Sequence, residues 1–377
     1  MAVTERYIGR AVPRKEDPEL ITGQASYVDN LTAPGMVWMA LVRPPYVHAR
    51  VKKIDTKKAA AMPGVIAVVT AKDLEGDFAG SLPMVWPITD DIKMPVHWPL
   101  TKDKIRFNGD AVAAVLAETR AQAEDAAETV EVDVEVLPAV MDLEEAGRSG
   151  THIHEDLGTN EVVHWSHGGA GDQTVFDTSE VIVTARYEQP RVIPNPMEPR
   201  GVLVQSVPAM GEFTIFSATQ IPHILKVVLA LVTGLPESKL RVIAPDVGGG
   251  FGGKLNVYAE EALALVLCKR SGRPVKWIET RSENYVATIH GRGTIHDCTL
   301  AGTKDGKILG VKFVEIADMG AYFQLLTPGI PELGGWVYMG PYDPKAYWYE
   351  FRGVLTNRTP TDAYRGAGRP EATFVLE

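Results

Sequence analysis

Glycine is concentrated around a single aromatic residue in the middle of the chain, where the sequence is VGGGFGGK. Gly248, Gly249 and Gly250 precede Phe251, and two more glycines follow it. Backbone without side chains can present several N–H groups to one bound group, and these donate hydrogen bonds to anionic oxygens. The stretch therefore predicts a site for an oxygen-rich ligand, most simply one that carries phosphate.

A strand and a helix are predicted on the two sides of these glycines. The apolar run at 242–244 is typical of a buried strand, and apolar residues at helical spacing follow Lys254. Gly272 stands where this helix should end. We therefore expect the N-terminus of the helix, with its partial positive charge, to add to the anion site.

The same glycines match two nucleotide-binding patterns in part. Gly248-x-Gly250-x-x-Gly253 fits the dinucleotide fingerprint, with Glu279 in the next predicted strand as the ribose-binding acid. A P-loop fits less well because Leu255 offers no hydroxyl to Mg²⁺. An NAD-dependent dehydrogenase stays open as an alternative, and so does a turn that only lets a helix pack close to a sheet.

The composition is that of a soluble globular protein, and its 377 residues are enough for two or three domains. A net charge of −10 argues against a nucleic-acid or membrane-surface partner. Two cysteines can form neither a disulfide framework nor an iron–sulfur site. No apolar run suits a membrane span, and the first residues lack the apolar segment of a signal peptide, so we expect a cytoplasmic protein.

The predicted elements divide the chain into four parts. These are an N-terminal, extended stretch at 1–20, a mixed α and β domain at 21–140, a linker at 141–170 and a second domain at 171–377. The last part ends in a helix that has just begun, so we expect the domain to be incomplete at its C-terminus. The histidines of the linker lack a partner cluster, and no metal site built from side chains is predicted.

Local patterns predict several elements. In the first domain, Asn108-Gly109 indicates a hairpin, Thr119 and Gln122 a helix with a capping box, and alternation at 130–136 a half-buried strand. In the second domain we expect strands at 181–187, 201–207, 212–218 and 345–356, a helix at 221–233, and a hairpin that pairs 294–301 with 307–317. This hairpin counts against a Rossmann domain, which needs a βαβ crossover there.

Three motifs occur in order: Ala218-Thr219-Gln220, the glycine stretch, and Ala363-Tyr364-Arg365-Gly366-Ala367-Gly368-Arg369. Together with Ile8-Gly9-Arg10 to Gly23, Tyr27-x-Asp29, and Arg43-Pro44 to His48-Ala49, they make the chain resemble one family. It is the molybdenum-binding large subunit of the xanthine dehydrogenase/aldehyde oxidase/aerobic carbon monoxide dehydrogenase family. The resemblance covers essentially the whole chain but only about the first half of a family subunit. It implies an α+β fold with an N-terminal α/β hammerhead domain and then the first molybdopterin-binding domain.

The resemblance also implies a site whose metal is held by a pterin dithiolene rather than by side chains. The implied cofactor-binding residues are Gln220, Gly249, Gly250, Phe251, Gly252, Arg365, Gly366 and Ala367. Gln220 and Arg365 are the implied catalytic residues, and the three motifs must then lie together. A neutral amide can donate to an oxo group, and a guanidinium stabilises developing negative charge. By residue type alone, a helix cap at Gln220 and a surface ion pair at Arg365 stay open.

The function implied by the resemblance is hydroxylation with water as the oxygen source. The cofactor is molybdopterin, in its cytosine dinucleotide form, and electrons pass to iron–sulfur and FAD subunits in a dimer of heterotrimers. The family's catalytic glutamate lies in the C-terminal half, so this chain should lack it, and a non-catalytic cofactor-binding half is an alternative. Carbon monoxide-oxidising members carry a cysteine where this chain has Gly366, and xanthine-specific members a glutamate where it has Leu255. An aldehyde or a nitrogen heterocycle is therefore the expected substrate.

Overall fold

A computed structural model describes residues 7–377. Within this range the chain forms fifteen β-strands. In chain order they are β1 (Val37–Val42), β2 (Ala49–Asp55), β3 (Val65–Thr70), β4 (Lys104–Ile105), β5 (Ala113–Ala117), β6 (Glu131–Val136), β7 (Glu161–Ala170), β8 (Val181–Gln189), β9 (Gly201–Val207), β10 (Glu212–Ser217), β11 (Leu240–Ile243), β12 (Val275–Ile278), β13 (Thr294–Gly302), β14 (Ile308–Gly320) and β15 (Ala346–Leu355).

The same residues form ten α-helices and three short 3₁₀ segments. The helices are α1 (Asp17–Ile21), α2 (Lys57–Ala60), α3 (Arg120–Glu128), α4 (Leu143–Ala146), α5 (Val175–Thr178), α6 (Pro222–Thr233), α7 (Ala259–Ser271), α8 (Arg281–Ala287), α9 (Gly329–Gly335) and α10 (Arg369–Leu376). The 3₁₀ segments are Val28–Asn30, Glu155–Leu157 and Glu237–Lys239. In this part of the chain no helix has the length and apolar character needed to cross a membrane.

One seven-stranded sheet joins the two predicted domains. Its strand order is β11-β10-β9-β12-β1-β5-β3. β1 lies parallel to β12, with Val37 opposite Val275, and antiparallel to β5. Helices α6 and α7 pack on this sheet, and residues 262–268 of α7 are all buried. A helix that is apolar on all sides belongs inside a core, and here α7 packs on β9, β12 and β10 while α6 packs on β11, the strand before the glycine stretch.

A second sheet of five strands, in the order β7-β15-β14-β13-β8, has its own apolar core. The predicted hairpin is confirmed as β13 and β14, which pair antiparallel from Thr294 opposite Ala317. The linker prediction is wrong at its end, because β7 pairs with β15 and buries Val162 and Val163 in the second core. β7 is an edge strand, and its histidines and exposed glycines give this segment the amino-acid composition of a loop.

The first domain contains a further sheet of three strands in the order β4-β2-β6. The predicted capping box is confirmed at the start of α3. The backbone N–H of Gln122 donates to Oγ1 of Thr119 at 3.2 Å, and the N–H of Thr119 donates to Oε1 of Gln122 at 3.1 Å. The hairpin prediction at Asn108-Gly109 is wrong, because β4 pairs with β2 whereas β5 pairs with β1 and β3. The N-terminal stretch is not extended throughout, since it holds α1, and residues 1–6 lie outside the described residues. The α+β class is as predicted.

Candidate cofactor-binding site

The structure brings the three sequence motifs into contact. We call residues 248–254 the glycine loop and residues 363–368 the arginine loop. The N–H of Gly252 donates to Oε1 of Gln220 at 3.0 Å, and the N–H of Arg365 donates to the carbonyl oxygen of Phe251 at 2.9 Å. The end of β10, the glycine loop and the segment before α10 therefore build one continuous surface.

The glycines in the glycine loop make this contact possible. A Cβ atom at Gly250 would overlap Oε1 of Gln220, and one at Gly252 would overlap the carbonyl oxygen of Ala363. Gly249 and Gly252 both have φ of +96°, a left-handed conformation that favours glycine. Glycine at positions 250 and 252 therefore lets Gln220 and the arginine loop contact the glycine loop. The sequence suggested only that these glycines leave space for a ligand.

Hydrogen-bond donors dominate this surface. The backbone N–H groups of Gly249, Gly250 and Phe251 have no acceptor among residues 7–377. Gln220 uses its Oε1 atom to accept from Gly252, so the polar atom left over on its amide is the donor Nε2. Such a donor set fits a group rich in anionic or carbonyl oxygens, as the oxo, pterin and phosphate oxygens of a molybdopterin are.

Phe251 and Arg365 lie side by side at this surface. Phe251 has φ of +53° and its side chain is 42% exposed. A left-handed backbone at a residue with a side chain is strained, and such strain clusters at functional sites. The guanidinium carbon of Arg365 lies 5.8 Å from the centroid of the Phe251 ring. Within residues 7–377 this guanidinium has no carboxylate partner, so its charge is available to a ligand.

The alternative of a helix cap at Gln220 is wrong. The N–H of Ile221, at the start of α6, donates to Oγ1 of Thr219 at 3.1 Å, and the cap residue itself makes no side-chain hydrogen bond. The alternative of a surface ion pair at Arg365 is not observed in the described part of the chain. Neither residue therefore has the ordinary structural role that its type would allow.

The prediction that a helix N-terminus adds to the site is wrong. Helix α7 begins only at Ala259, after a buried segment that includes Asn256 and Val257. The N–H of Tyr258, which caps the helix, already donates to Oε2 of Glu261 at 3.0 Å. The donors of the site are consequently the N–H groups of the glycine loop itself and not those of the helix.

Lys254 is unavailable to a phosphate because it is buried in an ion pair. Its Nζ lies 2.8 Å from Oε2 of Glu198, and this same oxygen accepts from the N–H of Gly248 at 2.8 Å. Burial lowers the pKa of Lys254, although Glu198 acts in the opposite direction. Glu198 thus ties both ends of the glycine loop together. Sequence reasoning missed it, since nothing in its local pattern marks a partner 50 residues away.

The dinucleotide interpretation is also wrong. Glu279 is 1% exposed and accepts from Nη2 of Arg200 at 2.6 Å, so it cannot reach a ribose. A Rossmann fold would place β12 next to β11. Here β12 lies between β9 and β1 instead. Arg200 also pairs with Glu260 at 2.9 Å. Burial opposes the charge of Glu260, but Arg200 and Arg43 outweigh it and lower its pKa to about 2.

A second buried acid, Asp362, anchors the arginine loop. Its Oδ1 accepts from the N–H of Ala363, and its Oδ2 accepts from the N–H of Leu326 at 2.9 Å. Burial raises the pKa of Asp362 to about 7, despite these hydrogen bonds. The loop itself was visible in the sequence through its glycines, whereas the acid that holds it was not. Within the described residues no three His, Cys, Asp or Glu side chains are placed to hold a metal ion.

An α+β fold that presents backbone amides, one side-chain amide and one guanidinium as donors fits the class of proteins that hold a large oxygen-rich cofactor. Comparison with protein families specifies the cofactor. Residues 153–377 match the molybdopterin cofactor-binding domain, and residues 22–138 match the a/b hammerhead domain of aldehyde oxidase and xanthine dehydrogenase. The chain therefore belongs to the molybdenum-binding large-subunit family of xanthine dehydrogenases, aldehyde oxidases and aerobic carbon monoxide dehydrogenases, as its motifs predicted.

Individual relatives agree with this assignment. The chain is 38% identical over 384 residues to the carbon monoxide dehydrogenase large chain of Hydrogenophaga pseudoflava, which covers 96% of this chain and 46% of that one. It is 34% identical over 381 residues to the nicotine 6-hydroxylase large subunit of Paenarthrobacter nicotinovorans, with 100% and 46% covered. Quinoline 2-oxidoreductase from Pseudomonas putida 86 superposes with a TM-score of 0.91 at 33% identity, over 99% of this chain and 49% of that structure. The chain thus spans about half the length of the relatives it matches.

Proposed function

We propose that the chain supplies the hammerhead and first molybdopterin-binding domains of a molybdenum hydroxylase, which oxidises an aldehyde or a nitrogen heterocycle with water as the oxygen source. The observation that supports this most is the contact of the glycine loop with both Gln220 and Arg365. Two backbone hydrogen bonds, from Gly252 and from Arg365, hold these residues in one surface. No ordinary structural role accounts for that arrangement of free donors.

The residues of this surface have separate roles in the proposal. A bound molybdopterin supplies the two-electron oxidation of the substrate carbon. The N–H groups of the glycine loop bind cofactor oxygens, and Nε2 of Gln220 donates to an oxygen of the centre. The guanidinium of Arg365 stabilises negative charge that develops on the substrate side. The full proposed set is Gln220, Gly249, Gly250, Phe251, Gly252, Arg365, Gly366 and Ala367.

The arginine loop supports a substrate other than carbon monoxide. Gly366 has φ of +106°, and a Cβ atom there would overlap the ring of Pro370. A copper-binding cysteine after Arg365 therefore does not fit this conformation. Two of the relatives act, by their names, on the nitrogen heterocycles nicotine and quinoline. A heterocycle of this kind is accordingly the first substrate to examine.

The proposal includes partners and a form of the cofactor. We expect the cytosine dinucleotide of molybdopterin, an iron–sulfur subunit and an FAD subunit, assembled as a dimer of heterotrimers in the cytoplasm. Cys268 and Cys298 are free cysteines on different elements, α7 and β13, which agrees with iron–sulfur centres on another subunit. We expect the catalytic glutamate to come from outside residues 1–377.

The test is a composition and activity analysis of the native complex. Metal analysis should give about one molybdenum per protomer, and acid hydrolysis should release one CMP. A screen of aldehydes, nitrogen heterocycles, xanthine and carbon monoxide in H₂¹⁸O should label a hydroxylated heterocycle or a carboxylate. A complex without molybdenum would overturn the proposal, and activity with carbon monoxide alone would overturn its substrate.

A further inference from the structure

Arg292 is a half-buried arginine in a strained conformation, close to the proposed site but not part of any motif. It lies in a turn between Gly291 and Gly293 and has φ of +63°. A left-handed backbone is strained at a residue with a side chain. Its side chain is only 11% exposed. Such a residue persists where its surroundings impose the conformation, so its contacts indicate its role.

The guanidinium of Arg292 contacts the backbone on both sides of the Cα atom of Arg365. Nη1 donates to the carbonyl oxygen of Tyr364 at 3.2 Å, and Nη2 donates to the carbonyl oxygen of Arg365 at 2.9 Å. The guanidinium carbon also lies 4.9 Å from the centroid of the Tyr364 ring. These carbonyls belong to the two peptide planes that meet at Arg365, so both planes are fixed and with them the direction of its side chain.

The arginine loop depends on such contacts because its own backbone is irregular. Gly366, Ala367 and Gly368 have φ of +106°, +46° and +85°, so three successive residues are left-handed. The peptide plane before Arg365 is held at both edges, with its oxygen on Arg292 and its N–H on the carbonyl oxygen of Phe251. Arg292 and the glycine loop therefore hold the loop from two different directions.

Glu371 holds Arg292 in turn. This residue lies in the first turn of α10, directly after the arginine loop, and its side chain is 6% exposed. Its Oε1 lies 3.2 Å from Nη1 of Arg292. A Cβ atom at Gly291 would overlap Cβ of Tyr364, so the turn that carries Arg292 packs directly on the loop. Turn, loop and helix form a closed set of contacts around Arg365.

We propose that Arg292 and Glu371 are positioning residues that set the direction of Arg365 toward the substrate. The guanidinium presents its donors from separate nitrogens in one rigid plane, which matches two carbonyl oxygens and a carboxylate, whereas the single nitrogen of lysine does not reproduce this spacing. The inference rests on the proposed function, because it assigns Arg292 a role through Arg365. It predicts that the side chain of Arg292 orders the arginine loop locally.

The test is hydrogen exchange by mass spectrometry on the native complex, with R292K, E371Q and a control. The control is R186K, which changes an exposed arginine of β8 that also has carboxylate partners, Glu144 and Asp297. In R292K the peptide that contains residues 364–368 should exchange at least ten-fold faster, while peptides from β13 and β14 stay unchanged. E371Q should give a smaller change in the same peptide, and R186K none.

Kinetics on the same variants should give a fall in kcat of about ten-fold or more for R292K, with KM little changed and molybdenum retained. Unchanged exchange at residues 364–368 in R292K overturns the inference, and so does an equal rise in every peptide, which indicates a purely structural role. Faster loop exchange with a normal kcat also overturns it. The exchange measurement requires no activity, so it tests whether Arg292 orders the arginine loop even if the complex proves to contain no molybdenum.

Discussion

One hydrogen bond determines what Gln220 can do. Because the N–H of Gly252 donates to Oε1, the amide oxygen is occupied and Nε2 remains as a donor. The sequence could predict the residue type and its motif, but not which atom of the amide would be free. That depended on Gly250 and Gly252, whose missing side chains let Gln220 approach the turn.

Exchange of Gln220 for glutamate tests this assignment. Q220E keeps the oxygen that accepts from Gly252 but replaces the donor Nε2 with a second acceptor. We expect kcat to fall by about 10²-fold, the usual cost of losing a donor to developing charge, with little change in the unfolding midpoint. Q24E, the same chemical change at an exposed residue of the first domain, should leave kcat unchanged. A Q220E enzyme with normal kcat would contradict the proposed role.

Gly366 tests the shape of the arginine loop. A Cβ atom in G366A would meet the rigid ring of Pro370, whereas one in G76A, where φ is +89°, meets nothing within 4 Å. Both variants carry the left-handed penalty of about 1–2 kcal/mol, but only G366A adds overlap, for a further 1–3 kcal/mol or so. Urea unfolding of both proteins measures the difference. Equal free energies of unfolding would mean that the loop yields easily and could accept a cysteine.

At the scale of elements, strands with regular alternation were predictable and contacts between elements were not. β6 agrees with the sequence because its valines alternate with acidic residues, and the hairpin of β13 and β14 agrees because turn residues separate its two strands. The start of α7 was predicted too early, since an apolar pattern cannot distinguish a buried extended segment from the helix that follows it. The pairing of β1 with β12 joins segments more than 200 residues apart, and no local pattern encodes it.

Glu198 joins the two ends of the glycine loop, through its ion pair with Lys254 and its hydrogen bond from Gly248. The sequence did not reveal this contact. E198Q removes the charge that compensates a buried ammonium, so we expect it to lower the free energy of unfolding by about 3–5 kcal/mol. The double variant E198Q/K254M removes both charges and should recover part of that loss. A double-mutant cycle from urea unfolding gives the coupling energy between the two residues. Additive effects would contradict the ion pair.

For the whole molecule, the joint between the two domains is built from aromatic and titratable side chains as well as from the shared sheet. The ring centroids of His154 and Tyr322 lie 5.1 Å apart, edge to face. The ring of His97 stacks on Tyr322, with 4.1 Å between the ring centroids. Nε2 of His154 lies 2.8 Å from the carbonyl oxygen of Ala321. This hydrogen bond suits the charged and the neutral ring alike, whereas burial of His154 favours the neutral ring.

His154 therefore makes stability depend on pH. Burial, and then the charge of Arg106, lowers its pKa from 6.5 to about 4. Between these values the unfolded chain binds a proton that the folded chain does not, so stability falls as the pH drops from 6.5 toward 4. H154Q keeps a donor for Ala321 but cannot titrate. The advantage of the wild type over H154Q, measured by urea unfolding, should shrink by about 1 kcal/mol per pH unit across that range.

Above about pH 8 the same difference should be constant, because His154 is neutral in both the folded and the unfolded state, and this serves as the internal control. Burial raises the pKa of the neighbouring Asp110 to about 6, which acts on stability in the opposite direction. Asp110 is present in both proteins, so subtracting their stabilities isolates the contribution of His154. A difference that does not vary between pH 7 and pH 4.5 would show that His154 accepts a proton in the folded state, and that the joint between the domains tolerates the charge.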